Sequence, residues 1–240
     1  MMNICIDIGN TQTKVGVFNQ ADLVESVAVE HLSDETIAQL LLKYNITHSI
    51  ISRVGAGNQS LQDILAQKTN ALVLTANTPL PFENLYATPQ TLGVDRIALA
   101  AAATNYVTEN NVLVVSCGTC VTFEFVNRKA QYLGGAISPG LNMRLQAMNH
   151  FTEKLPLLNF TEPGHFNGNS TETCMQSGAF IGMLEEIKGR INLYETEFGT
   201  TELLLSGGDC FLFEKHLKKS VFAHPYLTLF GLNKILTYNV

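Results

Sequence analysis

Apolar residues along the chain form short β-branched runs that alternate with longer segments of helical period. Runs typical of buried strands cover Asn3–Ile8, Ile50–Val54, Ala71–Leu74, Val112–Val115 and Leu203–Leu205. Segments typical of helices cover Asp34–Tyr44, Leu61–Lys68, Asp95–Val107, Leu141–Asn149 and Thr171–Tyr194. Because strands and helices alternate in both halves, we predict an α/β fold of two lobes, residues 1–110 and 111–240.

The first predicted strand ends in a polar turn. Asp7 stands where the strand leaves the core, and Gly9 lacks the Cβ that would keep a phosphate away from the backbone. Donor groups follow at Asn10, Thr11, Thr13 and Lys14. The residues that follow alternate as a return strand, so the turn joins a β-hairpin, whereas a P-loop or a Rossmann turn opens a helix. An ordinary Gly-Asn hairpin turn would show the same pattern.

A second strand end repeats this order of residues. The run Val112–Val115 leads into Ser116-Cys117-Gly118-Thr119, and an alternating return strand, Val121–Val126, follows. A third run, Leu203–Leu205, leads into Gly207-Gly208, a pair that allows a nucleoside to lie against the backbone. The repeated order predicts two similar lobes that close on one ligand.

In these motifs the chain resembles the superfamily of actin, the heat-shock chaperone ATPases, and the acetate and sugar kinases. In detail it resembles the type III pantothenate kinases. The matching motifs are Asp7-Ile8-Gly9-Asn10-Thr11 with Lys14, Gly93-Val94-Asp95-Arg96, Gly134-Gly135-Ala136-Ile137-Ser138-Pro139-Gly140, and Thr171 with Ser177-Gly178. The resemblance implies two ribonuclease-H-like lobes with the nucleotide in the cleft between them, and a homodimer. It also implies ATP-dependent phosphorylation of pantothenate to 4′-phosphopantothenate, the first step of coenzyme A biosynthesis.

The resemblance also assigns roles to residues. Asp95, in the first turn of an Ala-rich helix, would be the catalytic carboxylate that accepts the proton of the attacking hydroxyl; a helix-terminal charge without a catalytic task is the alternative. ATP would be bound by Asp7, Gly9, Asn10, Thr11, Thr13, Lys14, Gly118, Thr119, Gly207 and Gly208. Pantothenate would be bound by Tyr86, Gly93, Val94, Asp95, Arg96 and Thr171.

Three of these substrate residues have other interpretations. Arg96 suits the carboxylate of pantothenate, but it could equally form a surface salt bridge. Tyr86 could be a packing ring in a Pro-rich loop. Thr171 could be the cap of the helix that begins there.

Two positions concern metal ions. Asp7 would position Mg²⁺ through its water shell, because magnesium dehydrates reluctantly. The second turn of the family usually begins with an Asp that helps to hold a monovalent cation, K⁺ or NH₄⁺, and this chain has Ser116 there. A neutral hydroxyl is a weaker ligand, so we expect a degenerate cation site.

Composition excludes several classes of protein. The formal net charge of −6 and the lack of a long Lys/Arg run argue against a nucleic-acid partner. No apolar stretch approaches the ~20 residues of a membrane span, and no basic region precedes the first apolar residues, so we expect a cytoplasmic protein. The five cysteines are expected to be small buried fillers. Cys117 and Cys120 have redox spacing, but they precede a strand, not a helix.

Two alternatives remain open at this stage. One is a nucleotide-binding accessory or regulatory protein of the same fold with weak turnover, which Ser116 favours. The other is a different small-molecule kinase of the superfamily, acting on a sugar or an acid. The Gly93-Val94-Asp95-Arg96 motif and the short chain of 240 residues argue against the second.

Overall fold

A computed structural model describes residues 2–53, 59–107 and 109–240 of the chain. The strands, in chain order, are β1 Met2–Ile8, β2 Thr13–Asn19, β3 Asp22–Val29, β4 His48–Arg53, β5 Asn70–Val73, β6 Glu83–Asn84, β7 Asn111–Cys117, β8 Cys120–Val126, β9 Gln131–Pro139, β10 Thr201–Ser206 and β11 Phe222–Ala223. The helices are α1 Asp34–Tyr44, α2 Gln59–Lys68, α3 Val94–Ala103, α4 Leu141–His150, α5 Thr171–Phe198, α6 Cys210–Glu214 and α7 Leu227–Tyr238.

The chain divides into two compact units. The first comprises Met1–Glu109, Glu124–Gly134 and Tyr226–Val240, and the second comprises Asn110–Phe123 and Gly135–Pro225. Residues 124–134 and 226–240 differ from the predicted division, because they group with the N-terminal residues. No local pattern indicates this grouping, because the contacts that hold both segments join residues far apart in the chain.

The first unit contains a five-stranded sheet of order β3-β2-β1-β4-β5. The strands β1, β2 and β3 form an antiparallel meander, whereas β4 and β5 pair in parallel. The parallel pairing of β1 with β4 sets Asp7 opposite Ser52. The strand predicted over Ile50–Val54 is β4, of which Val54 lies outside the described residues. The end of β8 and the start of β9 also belong to this unit, where β6 pairs in parallel with β9.

Local signals explain where two helices of this unit begin and end. α1 spans the predicted residues, and the Ser33 hydroxyl accepts a hydrogen bond from the backbone N–H of Thr36 at 3.2 Å, as an N-cap does. α3 ends at Ala103, four residues before the predicted Val107. The last turn tightens because the amides of residues 104–106 bond to carbonyls three positions back, and the Thr104 hydroxyl also donates to Ala101 O.

Helix α7 was not predicted, and it completes the core of the first unit. It packs on α3 so closely that a Cβ at Gly231 would overlap the carbonyl oxygen of Ala98. The Asn233 side chain accepts a hydrogen bond from Asn3 at 2.8 Å, while Phe230 meets Phe18 edge to face. Because α7 is apolar on almost every face, it lacks the periodic pattern that reveals a surface helix.

The second unit is built on strands in the order β11-β10-β7-β8. The strands β7 and β10 are parallel, so Ser116 and Ser206 stand side by side where both strands end. The helix α5 begins with a capping box formed by Ser170 and Thr173. Leu145 of α4 packs against Met175 and Ala179 of α5.

Two further expectations concern membrane spans and the burial of the cysteines. Among the residues that the structure describes, no helix is both long and apolar enough to cross a membrane. Cys5, Cys117 and Cys210 are buried, as expected of small fillers, and burial raises the pKa of the Cys117 thiol far above its usual value. Cys174 is exposed on the first turn of α5, so the expectation was wrong for that residue.

Candidate functional site

The turn between β1 and β2 is closed by its own backbone. The Gly9 N–H donates to the carbonyl of Gln12 at 3.1 Å, and a Cβ on Gly9 would lie 3.1 Å from the same oxygen. Asn10 and Thr11 are exposed on this turn, whereas the side chain of Thr13 is buried. A cavity of about 380 Å³ opens beside the turn, and its lining includes Gly9, Asn10, Thr11 and Thr13.

Asp7 is a buried carboxylate at the end of β1. Its Oδ1 accepts a hydrogen bond from the Ser52 hydroxyl at 2.7 Å. Burial raises the pKa of Asp7 above its ordinary value, and the negative charge of Asp95 raises it further. The hydrogen bond from Ser52 and the positive charge of Lys14 lower it, but they do not outweigh burial. Lys14 and Asp95 therefore both lie close enough to Asp7 to act on its carboxylate. The Lys14 ammonium also lies 5.8 Å from the centre of the Tyr226 ring.

The start of α3 presents Asp95. Gly93 occupies the N-cap position, and a Cβ there would lie 2.5 Å from the Asp95 Oδ1. The glycine of the Gly-Val-Asp-Arg motif therefore leaves the Asp95 carboxylate in this position, from which a larger residue would displace it. Val94 and Asp95 are half-buried in the first turn of the helix. A carboxylate in the first turn of a helix interacts favourably with the helix dipole.

Arg96 is buried, with 6% of its surface exposed, so the surface salt bridge is the wrong interpretation. Its Nε donates to both oxygens of Glu124, at 2.9 and 3.0 Å. Burial alone would lower the pKa of Arg96, but the hydrogen bonds and charge of Glu124 raise it above its ordinary value. Tyr86 lies with its ring centre 5.6 Å from the guanidinium carbon and is also stacked on Tyr132. Tyr86 therefore packs and contacts Arg96 at the same time.

The turn between β7 and β8 is built from backbone. The Gly118 N–H donates to the carbonyl of Cys120 at 3.0 Å, and the Gly140 N–H donates to the carbonyl of Thr119 at 3.1 Å. A Cβ at Gly140 would overlap the carbonyl oxygen of Gly118. The last glycine of the Gly-Gly-x-Ile-x-Pro-Gly motif thus lies directly against this turn. Ser116, at the start of the turn, is half-buried.

The two glycines after β10 differ. Gly207 has a φ of +84°, and a Cβ there would overlap the carbonyl oxygen of Cys117. The same oxygen accepts a hydrogen bond from the Asp209 N–H at 3.1 Å, which ties this loop to the end of β7. Gly208 is exposed with open space where its side chain would be. Gly207 is therefore needed for the fold, and Gly208 offers bare backbone to a flat ligand.

One ion-pair network in the second unit was not predicted from the sequence. Arg144 of α4 donates to Glu186 of α5 and, through its Nε, to the carbonyl of Pro139 at 2.8 Å. The Ser138 hydroxyl donates to the same Glu186 carboxylate at 3.0 Å. The network fixes the Ser138–Gly140 segment to two helices and so supports the close approach of Gly140.

Thr171 is the first residue of α5 and is exposed. The cap is Ser170, whose hydroxyl accepts a hydrogen bond from the Thr173 N–H at 3.2 Å, so the capping interpretation of Thr171 was wrong. The Ser177 hydroxyl bonds the carbonyl of Phe166 and holds the preceding extended segment on the helix.

The arrangement of the carboxylates limits the kind of metal ion that they could hold. Within the described ranges, no group of three or more His, Cys, Asp or Glu side chains could hold one. Mg²⁺ in kinases needs no such cage, because it keeps several waters and is bound by one or two carboxylates together with substrate phosphates. A single buried carboxylate beside a polar turn, as at Asp7, fits that donor set.

The family model and the similar sequences point to the same family. The family model for type III pantothenate kinase matches residues 3–193. A type III pantothenate kinase from Phocaeicola vulgatus is 39% identical over 239 residues, with 99% of both chains covered. One from Cytophaga hutchinsonii is 41% identical, with 100% of both chains covered.

Two solved structures are similar in fold. One is described as a Baf family transcriptional activator from Campylobacter jejuni, with a TM-score of 0.62, 22% identity and 98% of both chains covered. The other is an inorganic polyphosphate/ATP-glucomannokinase from an Arthrobacter species, with a TM-score of 0.53, 13% identity, and 100% of this chain and 99% of that one covered. The predicted two-lobed α/β fold is thereby confirmed.

Proposed function

Because this chain belongs to the type III pantothenate kinase family, we propose that it transfers the γ-phosphate of ATP to the primary hydroxyl of pantothenate. The product is 4′-phosphopantothenate, at the entry to coenzyme A biosynthesis. The observation that carries the proposal is the start of α3, where Gly93 makes room for a half-buried Asp95 and the next residue, Arg96, is a buried cation. An acceptor alcohol that carries a carboxylate needs both groups.

Asp95 acts as the proton acceptor. Its carboxylate takes the proton of the pantothenate hydroxyl as that oxygen approaches the γ-phosphorus. A well-positioned acceptor is sufficient, because the transition state of phosphoryl transfer is loose and needs little help from a strong base. The role of Asp95 in this step is therefore mainly to position the attacking oxygen.

Each of the two turns offers donors that suit the phosphates of ATP. In the first unit, the turn offers the exposed Asn10 and Thr11 and the positive charge of Lys14. Gly9 and the buried Thr13 shape that turn. In the second unit, Gly118 and Thr119 face the phosphates, and Gly207 and Gly208 lie against the adenosine. The exposed, Cβ-free backbone of Gly208 supports this last role.

Asp7 would hold Mg²⁺ through water, and the ion would neutralise charge at the phosphates. Ser52 orients the Asp7 carboxylate, since its hydroxyl donates to Oδ1. The monovalent cation site is degenerate in this chain: Ser116 and the neighbouring Ser206 offer neutral hydroxyls where the family has a carboxylate. We therefore expect the enzyme to work equally well in sodium and in potassium.

Pantothenate is bound by residues of the first unit and by Thr171. Arg96 pairs with the pantothenate carboxylate, Tyr86 covers the guanidinium and contacts the substrate chain, and the backbone of Gly93 and Val94 lies along the acceptor arm. Thr171 provides a hydroxyl, and its exposure on the first turn of α5 supports this role.

The enzyme works as a homodimer in the cytoplasm. Exposed apolar side chains in the second unit support an interface there; they are Phe151, Leu157 and Phe166, with 82%, 67% and 71% of their surfaces exposed. A reducing compartment agrees with the cysteines, none of which forms a disulfide across the ranges that the structure covers.

The test measures ATP consumption by the purified protein with Mg²⁺, with and without pantothenate, in potassium and in sodium buffers. We expect pantothenate-dependent turnover in both salts. A sugar and acetate serve as control acceptors. Turnover with a sugar alone would assign another kinase activity, and nucleotide binding without turnover in either salt would indicate an accessory protein. Strong stimulation by potassium would contradict the role given to Ser116.

A further inference from the structure

The buried pair of Arg96 and Glu124 has an unusual division of hydrogen bonds. Glu124 is fully buried, and both of its carboxylate oxygens accept from the same donor, the Arg96 Nε, at 2.9 and 3.0 Å. An arginine that serves only as a structural partner commonly uses two nitrogens in a fork-to-fork pair. Here one carboxylate engages only one of the guanidinium nitrogens.

Glu124 is itself held in place. The Tyr132 hydroxyl donates to its Oε2 at 2.6 Å, and Tyr132 is fully buried. Burial first, and the charge of Glu124 second, raise the pKa of Tyr132, so its hydroxyl remains protonated and remains a donor. The Tyr132 ring is stacked on that of Tyr86 at 6.1 Å, and Tyr86 in turn covers the Arg96 guanidinium. The guanidinium is thus fixed at its Nε and on one face.

One nitrogen at the outer end of the Arg96 guanidinium is unsatisfied, although Tyr86 also forms a side-chain hydrogen bond with Arg96. Its Nη2 is buried and has no hydrogen-bond partner among residues 2–53, 59–107 and 109–240. A buried donor without an acceptor costs free energy, and a charged one costs more. Since the surrounding residues fix the side chain so closely, an unpaired nitrogen is most simply explained by an acceptor that arrives with the ligand.

We infer that Glu124, supported by Tyr132, is a positioning residue that binds the Nε of Arg96 and thereby reserves Nη2 for the carboxylate of the acceptor substrate. The inference rests on the proposed function, in which Arg96 meets that carboxylate. It adds two residues that the sequence did not indicate. The first unit therefore recognises the acceptor through one directed hydrogen bond from a cation whose charge Glu124 has already balanced.

This arrangement has a consequence for substrate choice. One charge-assisted hydrogen bond distinguishes the carboxylate from a neutral group by roughly 10- to 100-fold. The alcohol analogue of pantothenate, pantothenol, carries a neutral hydroxymethyl group in place of the carboxylate. We expect the natural protein to bind it more weakly than pantothenate by that factor while still phosphorylating it.

The experiment separates the position of Glu124 from its charge. Glu124→Gln keeps the side-chain length and an oxygen that can accept from Nε, but it removes the charge. Glu124→Asp keeps the charge but withdraws the carboxylate by one methylene. If position is what matters, Glu124→Gln retains the preference for pantothenate over its alcohol analogue, whereas Glu124→Asp reduces it about tenfold. Tyr132→Phe keeps the ring and loses only the hydrogen bond to Glu124. We therefore expect a smaller reduction of the preference for pantothenate than in Glu124→Asp.

Two readouts make the result decisive. Calorimetry gives the affinity for each acceptor without ATP, and steady-state kinetics gives KM for each acceptor and for ATP. We expect KM for ATP to change by less than about twofold in every variant, because the pair lies on the acceptor side. Glu25→Asp is the matched control: Glu25 also accepts from a tyrosine and a cation, Tyr44 and Lys43, but at the surface. Glu25→Asp should change neither the affinity for pantothenate nor the affinity for its alcohol analogue.

Other outcomes would overturn the inference. Weaker binding of both acceptors by the same factor, or a lower melting temperature with the preference unchanged, would assign Glu124 a structural role only. Loss of the preference in Glu124→Gln but not in Glu124→Asp would show that its charge matters and its position does not. If the natural protein binds pantothenate more tightly than its alcohol analogue but does not phosphorylate it, the proposed function fails and the inference stands. If it shows no preference, the inference fails whatever the turnover.

Discussion

The two glycine turns of this chain share one sequence pattern but are constructed differently. The β1–β2 turn closes on itself through the Gly9 to Gln12 hydrogen bond and stands beside the buried carboxylate of Asp7. The β7–β8 turn has a serine at the corresponding position and is enclosed by the backbone of Gly140 and Gly207. The first turn therefore depends on the charge of its side chains, and the second on the absence of side chains.

This contrast separates two kinds of sensitivity. Around the first turn, the carboxylates Asp7 and Asp95 act on each other electrostatically, so replacement of a charge alters chemistry while the backbone is retained. Around the second turn, an added methyl group would overlap a carbonyl oxygen. Isosteric substitutions should therefore report on the first region, and glycine substitutions should report on the second.

The largest effect is expected at Asp95. Asp95→Asn preserves the shape of the side chain and removes the proton acceptor, so turnover should fall by ~10²-fold or more while nucleotide binding is retained. Steady-state kinetics and calorimetry with a nucleotide measure the two quantities. Near-normal turnover would remove Asp95 from the catalytic role and leave it a helix-terminal charge.

The next largest effect is expected at Gly207. Gly207→Ala combines a left-handed φ of +84° with overlap against the Cys117 carbonyl, and it should destabilise the fold by about 1–3 kcal/mol. Gly208→Ala is the control, because its side chain would enter open space. Thermal and urea unfolding give both values. Equal stability of the two variants would contradict the backbone construction of this region.

A smaller effect would make the two turns more alike. Ser116→Asp restores a carboxylate to the second turn, so a preference for potassium over sodium should appear in the kinase assay. The natural protein should show similar rates in both salts. If Ser116→Asp also shows no preference, the lost carboxylate does not explain the expected salt tolerance.

The smallest effect concerns stability at Asp7. Its pKa is raised in the folded protein, so the folded state binds the proton more tightly than the unfolded state does. Stability is therefore lost as the pH rises from about 4, the pKa of an unfolded Asp, through the raised folded value. Asp7→Asn removes this loss and should be more stable than the natural protein at neutral pH. The melting temperatures should converge in acid; a constant difference at every pH would contradict the assignment.

Much of the fold could be predicted from local patterns. The apolar strands, the Ser33 cap of α1 and the strand–turn–strand order of both turns depend on neighbouring residues, and the structure confirms them. Helix α7 was missed because it is buried on almost every side and shows no polar face. The sequence could not indicate that residues 226–240 join the first unit, since Gly231 meets Ala98 only in three dimensions.

The candidate site was predictable to a similar extent. Asp95, Arg96 and the glycines stand in recognisable motifs, whereas Glu124 does not. It follows Val121 and Phe123 on an alternating strand, a pattern that would normally place it on the solvent face with Thr122. Its burial depends on Arg96 and Tyr132, which neutralise and hydrogen-bond it. Partners that are distant in sequence leave no local signal.

The packing of α7 on α3 has a consequence for biosynthesis. The ribosome makes the residues of α3 early, but the helix that covers them follows the whole of residues 135–225. Domains generally fold in order as they emerge. Here the first sheet forms before the helix that completes its core, so the nascent chain exposes the small, apolar face of α3 until translation has passed Tyr226. A chaperone that binds nascent chains would find its target at Ala98–Ala103 during that interval.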